Sequence, residues 1–225
     1  MFYDGNAKQE QCAIVCRVSE SFLRFGHFEL PAAREDIVLL KQFADYTINN
    51  HFPDIDAQSV SRYAQFFDAV CQSTAKLMAQ WMSVGFVHGV MNTDNMSILS
   101  ETIDYGPYGW LERYDPAFIC NHSDPSGRYA FDQQPRIGLW NCARLGEALY
   151  PLVAEEPARA ALESYRTTFE TTVDALVRAK LGNKPVTGII YTHSHADHFG
   201  GARGVVDAAD VKSGKVPIYA PEHFM

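Results

Sequence analysis

Two stretches of the chain gather side chains able to do chemistry. The first reads His88-Gly89-Val90-Met91-Asn92-Thr93-Asp94-Asn95 and is followed by Ile103-Asp104-Tyr105-Gly106. Asn95 and Asp104 offer an amide oxygen and a carboxylate. Such a set suits Mg²⁺, a hard cation that needs only one or two protein oxygens when phosphates supply others. Asp94 stands beside Asn95 and is the candidate proton acceptor. Turn capping by Asn and Asp explains the same residues without a metal, and spacing alone leaves that alternative open. The second stretch, His193-Ser194-His195-Ala196-Asp197-His198, holds three imidazoles and a carboxylate within six residues. Neutral imidazole and carboxylate suit Zn²⁺. His193 and His195 could serve one metal, with Asp197 and His198 serving a second, an arrangement that generates hydroxide. The site would be incomplete, because the nearby candidates Glu222 and His223 match no expected ligand position.

The elements that must carry these residues can be read from periodicity. Cys12 to Val18 has the β-branched content of a short buried strand. Ala33 to Asn50 carries Ile37, Leu40, Phe43, Ala44 and Ile48 at helical spacing and closes at His51-Phe52-Pro53. Ser59 to Trp81 places Tyr63, Phe66, Phe67, Val70, Leu77, Met78 and Trp81 on one face of a long helix. Residues 85–145 are dense in Gly, Asp, Asn and Pro, and read as loops of the kind that hold active sites. Pro157 opens another helix, with Leu162, Tyr165, Phe169, Val173, Leu176 and Leu181 on its apolar face and Gly182 as its cap. Val186 to Tyr191 and Val216 to Ala220 read as strands flanking a small-residue stretch, Gly200 to Ala209, that suits a helix. That order suggests the opening of an α/β unit.

Composition sets bounds. The 225 residues carry 19 basic and 27 acidic side chains, a net charge of −8. Nucleic-acid-binding domains carry basic patches, so this balance argues against one. No apolar run approaches the roughly 20 residues of a membrane span. The start, Met1 to Asn6, shows no secretory signal. Five cysteines without a CxxC pair read as reduced thiols. Residues 183–225 hold 4 basic and 4 acidic side chains yet four of the eight histidines, so the whole charge of −8 lies in residues 1–182. Gly182-Asn183-Lys184-Pro185 marks the changeover and a candidate domain boundary.

Aligned on His88, the first stretch follows the protein-kinase pattern H-R-D-x-x-x-x-N then D-F-G. Asn95 and Asp104 fall on its two metal-ligand positions, but Val90 falls on the catalytic base, which excludes the ordinary kinase mechanism. Wider text carries a more specific likeness. SESFLRFGHFELPAAR (Ser19 to Arg34), HGVMNTDNMSIL (His88 to Leu99), TIDYGPYGWLE (Thr102 to Glu112) and YDPAFICNHSDPSGRYAFDQQPRIGLWN (Tyr114 to Asn141) resemble the selenoprotein O (SelO) family of pseudokinase-fold protein adenylyltransferases. The resemblance implies AMP transfer from ATP to Ser, Thr or Tyr hydroxyls of protein substrates. It implies Asp94 as proton acceptor, Asn95 and Asp104 as ligands of Mg²⁺ (or Mn²⁺), and Arg17 and Arg24 as contacts to the ATP phosphates. It also implies a cytoplasmic protein, mitochondria being the family's other setting.

NKPVTGIIYTHSHADHFGGARGVV with VPIYAPEHFM resembles the alkyl sulfatase branch of the metallo-β-lactamase superfamily. The expected fold is therefore mainly α (α+β). It comprises a kinase-like C-lobe lacking its N-lobe over 1–182 and a small α/β metallo-β-lactamase-like appendage over 183–225. With the N-lobe's nucleotide cradle absent, transferase activity is expected to be impaired, and exposed truncated surfaces are expected to self-associate. The alternatives are a zinc-dependent hydrolase fragment and a non-catalytic fusion.

Overall fold

The computed structural model describes residue 14, residues 16–180, residue 182, residues 189–190 and residues 208–219. It is mainly helical. Two helices open it, α1 (Gly26–Ala33) and α2 (Ile37–His51). The single helix expected from Ala33 is broken at Arg34 to Asp36, where Glu35 takes a positive φ of 55°. Asp36 then caps α2, its carboxylate accepting the Leu39 N–H at 2.9 Å. Leu40, Ala44 and Ile48 are buried as their spacing requires, whereas Ile37 is 52% exposed.

Helix α3 (Arg62–Ser83) is the spine of the core. At 1.5 Å per residue it runs about 33 Å. All seven residues of the expected apolar face, from Tyr63 to Trp81, are buried. It packs against α4 (Gln134–Ala148) and α5 (Glu155–Lys180). Gly138 lets the three helices approach: a Cβ there would lie 2.5 Å from Tyr165 Oη and 2.8 Å from Met78 Cγ. Tyr165 is buried, and its hydroxyl donates to the Pro135 carbonyl at 2.7 Å. On α5, Leu162 and Phe169 are packed against the core but only partly buried. Gly182, at φ 68°, receives the Ala179 carbonyl on its N–H, as its capping role predicts.

The loop-rich reading of 85–145 needs correction at its end, because α4 occupies 134–148. Pro135 suits the first turn of that helix. The helix was hidden because its inward face carries Gln134, Gly138 and Asn141, polar or small residues that periodicity does not count. The remainder holds β1 (Phe86–Val87) and β2 (Gly109–Trp110), paired antiparallel with Phe86 opposite Trp110. Short 3-10 turns occur at Thr93–Asn95 and Phe131–Gln133.

The strand expected over Cys12 to Val18 is not seen where it can be judged. Residues 14 and 16–18 have no regular structure, and Ile14 and Val18 are almost fully exposed. A β-branched run forms a strand only where a partner edge exists, and none faces these residues among those described. Residues 12, 13 and 15 lie outside the described set. Beyond α5, β3 (Ile189–Ile190) pairs parallel with β4 (Ile218–Tyr219), and α6 (Ala208–Lys212) lies in the connection. The rest of the strands expected at 186–191 and 216–220, apart from Val216 and Pro217, and residues 200–207 of the expected helix lie outside the described set. Among the described residues no helix is long and apolar enough to cross a membrane.

Candidate active site

The loop from His88 to Asp104 is held from three directions. From α4, Gln134 spans its start: Nε2 donates to the Phe86 carbonyl at 2.8 Å, and Oε1 accepts the His88 N–H at 2.9 Å. Asn141, fully buried, donates to the Met91 carbonyl at 2.8 Å. From the segment after β2, Asn121 donates to the Gly89 carbonyl at 3.1 Å. Gly89 has φ 83°, and a Cβ there would lie 2.7 Å from Cys120 Sγ and 2.8 Å from the Pro107 carbonyl. From the N-terminal side, Phe25 N–H donates to Met96 O at 3.1 Å and Ile98 N–H donates to Leu23 O at 2.9 Å. This antiparallel bridge sets Arg24 opposite Ser97.

His88 is structural here. It is 1% exposed and stacks on Trp81 with ring centroids 5.3 Å apart. Its Nε2–H donates to Ile103 O at 2.8 Å, while Nδ1 accepts the Val90 N–H at 3.4 Å. Burial pushes its pKa below the usual histidine value against the opposing hydrogen bond from Ile103. A neutral ring tying residue 88 to residue 103 fixes where Asp104 emerges.

Of the five residues singled out in this stretch and its neighbourhood, the structure brings Arg24 to Asp104 and Arg17 to the adjacent Tyr105, and the bridge joins the Arg24 segment to the residues just after Asn95. Asp94, exposed, sits in the 3-10 turn Thr93–Asn95, whose Thr93 hydroxyl donates to Glu29 at 2.8 Å. Asn95 Nδ2 donates to the Val90 carbonyl at 3.0 Å. That bond leaves Oδ1, the atom a hard cation needs, as its remaining acceptor. Asp104 adopts φ 60° and is exposed. Its carboxylate meets the Arg24 guanidinium at 3.1 Å. The Arg17 guanidinium lies 4.2 Å from the centroid of the neighbouring Tyr105 ring.

Both arginines carry a buried Nε with no hydrogen-bond partner. A buried unpaired donor is costly, and an anion would satisfy it. The donor set therefore fits a polyphosphate accompanied by Mg²⁺, for which one amide oxygen, one carboxylate and phosphate oxygens suffice. Among the described residues no group of three or more His, Cys, Asp or Glu could hold a metal without such a ligand.

Sequence reasoning missed a glycine that faces Asp94. Gly26, the first residue of α1, faces Asp94 so closely that a Cβ would lie 2.1 Å from Asp94 Oδ1. A glycine in LRFGHFELP gave no signal, because its partner lies 68 residues away. Gln134 and Asn141 were also missed as loop supports, and only their polar type at inward helical positions could have flagged them. His193, His195, Asp197 and His198 lie outside the described residues.

Comparison with known proteins decides the family. The family model "Protein adenylyltransferase SelO" matches residues 2–196. The chain belongs to the SelO family. Curated relatives include proteins named protein nucleotidyltransferase YdiU from Xanthomonas campestris pv. campestris (strain 8004), Xanthomonas oryzae pv. oryzae (strain MAFF 311018) and Xanthomonas axonopodis pv. citri (strain 306). Each is 52% identical over 184 residues, which cover 81% of this chain and 36% of the relative. The chain thus spans about a third of the length of the curated relatives it matches. The SelO match runs fourteen residues beyond 182 (196 − 182) and takes in His193 and His195.

Proposed function

We propose that this chain carries the phosphate- and metal-binding half of a protein adenylyltransferase that moves AMP from ATP to a Ser, Thr or Tyr hydroxyl of a protein substrate. SelO membership supports the class. The observation that carries the site is the convergence of Arg24 on Asp104, with Nε of both Arg17 and Arg24 buried and unpartnered. Asp94 takes the acceptor hydroxyl's proton. The freed oxygen forms a bond to the α-phosphorus, the α–β phosphoanhydride bond breaks, and pyrophosphate leaves with that electron pair. Arg17 and Arg24 hold the phosphate oxygens, where a planar fork matches the geometry better than an ammonium. Asn95 Oδ1 and Asp104 would hold Mg²⁺, which supplies charge neutralisation on the phosphates when bound.

The kinase-like C-lobe reading belongs to this proposal, supported by the Asn95 and Asp104 spacing from His88. Calorimetry with ATP and Mg²⁺ tests it. Binding should be lost without the metal and in Asp104→Ala, and weakened in Arg17→Ala. ATP binding indifferent to all three changes would overturn it. Asp94→Ala should retain binding and lose transfer of label from α-labelled ATP to protein, a transfer expected to be weak in the parent chain.

For residues 183–225 we propose a zinc-binding segment of metallo-β-lactamase type with an incomplete ligand set, a reading that rests on His193-Ser194-His195-Ala196-Asp197-His198. Elemental analysis of purified protein should find zinc that His193→Ala with His195→Ala removes. Zinc-free protein would refute this segment's assignment while leaving the transferase reading untouched.

A further inference from the structure

Beside the first two turns of α4 lies a pocket of about 540 Å³, walled also by residues 116–117 and 126–128. Its polar wall is Ser126, Arg128, Arg136 and Asp132, and its floor includes Trp140. Arg128 stacks on Trp140, with Cζ 4.7 Å from the ring centroid. Stacking fixes the plane of a guanidinium while leaving its in-plane N–H groups free to bind. Arg128 makes no ion pair within 4 Å among the described residues; burial pushes the neighbouring Asp124 carboxyl up, but hydrogen bonds from the Tyr129 and Arg128 N–H groups and the Ser126 hydroxyl hold it below its usual value, the Arg128 charge adding to them. Arg136 is exposed and likewise has no ion pair there. Among the lining residues Asp132, which accepts from Gln133 at 3.0 Å, carries the one carboxylate against these two charges, and Asp124 stands buried behind the wall. In a chain of net charge −8, a concave surface with a positive balance is a local reversal.

We infer that this pocket binds an acidic stretch of the acceptor protein, its carboxylates meeting the forks of Arg128 and Arg136. The pocket adjoins the candidate active site through one continuous segment. Pro116 and Ala117 line the pocket, and Cys120 and Asn121, a few residues on, contact Val87 and Gly89 of the site loop. The pocket is thus tied to the start of the site loop, at Val87 and Gly89. The identity of the occupant as an acceptor rests on the adenylyltransferase reading, whereas the charge and shape of the pocket do not.

Fluorescence anisotropy with a labelled hexaglutamate peptide tests the inference, its hexaglutamine counterpart serving as control. The acidic peptide should bind and the neutral one should not. The double variant Arg128→Glu/Arg136→Glu should weaken binding by about tenfold or more. The variant Lys76→Glu/Arg113→Glu, with the same change of net charge elsewhere, should retain binding. Trp140→Leu should weaken it without changing net charge. Equal losses in the two double variants would reduce the effect to overall charge and overturn the pocket. Binding of inorganic phosphate to the pocket with no peptide binding would overturn the acidic-peptide assignment. ATP affinity measured in the same variants separates the two proposals. Arg128→Glu/Arg136→Glu should leave it unchanged, and peptide binding that persists in a chain unable to bind ATP would sink only the transferase reading.

Discussion

The guanidinium of Arg24 and the carboxylate of Asp104 lie 3.1 Å apart, although 80 residues of chain separate them. Each is assigned to a different ligand, phosphate for the arginine and a divalent cation for the aspartate. Without ligands they neutralise each other. Both side chains are about a third exposed, so the pair is worth little, under about 1 kcal/mol. It nonetheless competes with the metal. Removing the guanidinium in Arg24→Ala should tighten binding of Mn²⁺ alone by roughly two- to fivefold while weakening ATP. Paramagnetic resonance of free Mn²⁺ reads the first effect. Unchanged or weaker Mn²⁺ affinity in this variant would show that Asp104 is not restrained by Arg24.

Gly26 and Asp94 give a second prediction. A methyl at residue 26 meets the far end of a mobile, exposed carboxylate, which can swing aside at small cost in stability. Gly26→Ala should therefore melt within a few degrees of the parent. Displacement of a reacting group by about 1 Å costs on the order of 100-fold in rate. Label transfer should fall by about that factor with ATP binding intact. A variant that melts early, or that transfers normally, contradicts the placement of Asp94 against α1.

The third concerns pH. Burial lowers the pKa of His88 in the folded chain below the unfolded value near 6.5. The unfolded state then binds the proton more readily, so folding stability rises with pH through this interval. The contribution is fully present above pH 6.5 and is lost as pH falls toward the folded value. Its slope reaches at most about 1.4 kcal/mol per pH unit. Denaturant unfolding at pH 5 to 7.5 should show this slope in the parent and less of it in His88→Gln. Identical slopes in both would mean that another group is responsible.

Helix packing supplies the fourth. Gly138→Ala drives a methyl against Tyr165 and Met78 at a point where α3, α4 and α5 leave no room. Overpacking of this kind costs about 1–3 kcal/mol. The midpoint of urea unfolding should drop accordingly. Gly146→Ala, whose nearest obstacle is the Phe67 ring at 2.9 Å, should also destabilise. Unchanged midpoints would show that the helices relax freely at these crossings.

How much of this was legible beforehand differs by residue. The face of α3 was readable because aromatic and aliphatic residues recur at three and four, and burial follows that period. Helix α4 was not, since Gln134 and Asn141 point inward to bond loop carbonyls, and hydrophobic patterning counts them as outward. Asp94, Asn95 and Asp104 stood out by their spacing within one loop, but their roles came from the family resemblance and belong to the proposal. The closure of the site by Arg24 and Gly26 was not, because it depends on pairing between segments some 70 residues apart. Ile14 and Val18 misled, because β-branched content signals a strand only where an edge is available to receive it.

The bridge between residues 23–25 and 96–98 has an energetic consequence for the site. Two backbone hydrogen bonds, Phe25 to Met96 and Ile98 to Leu23, tether the arginine-bearing segment to the loop of Asn95. Phe25, Met96 and Ile98 are buried in the same apolar core as α3 and α5. Opening the tether therefore exposes core side chains, and this segment shares the stability of the core rather than fraying from it. In the proposed site Arg24 is thus presented on a rigid mount, whose amides exchange only when the core itself opens.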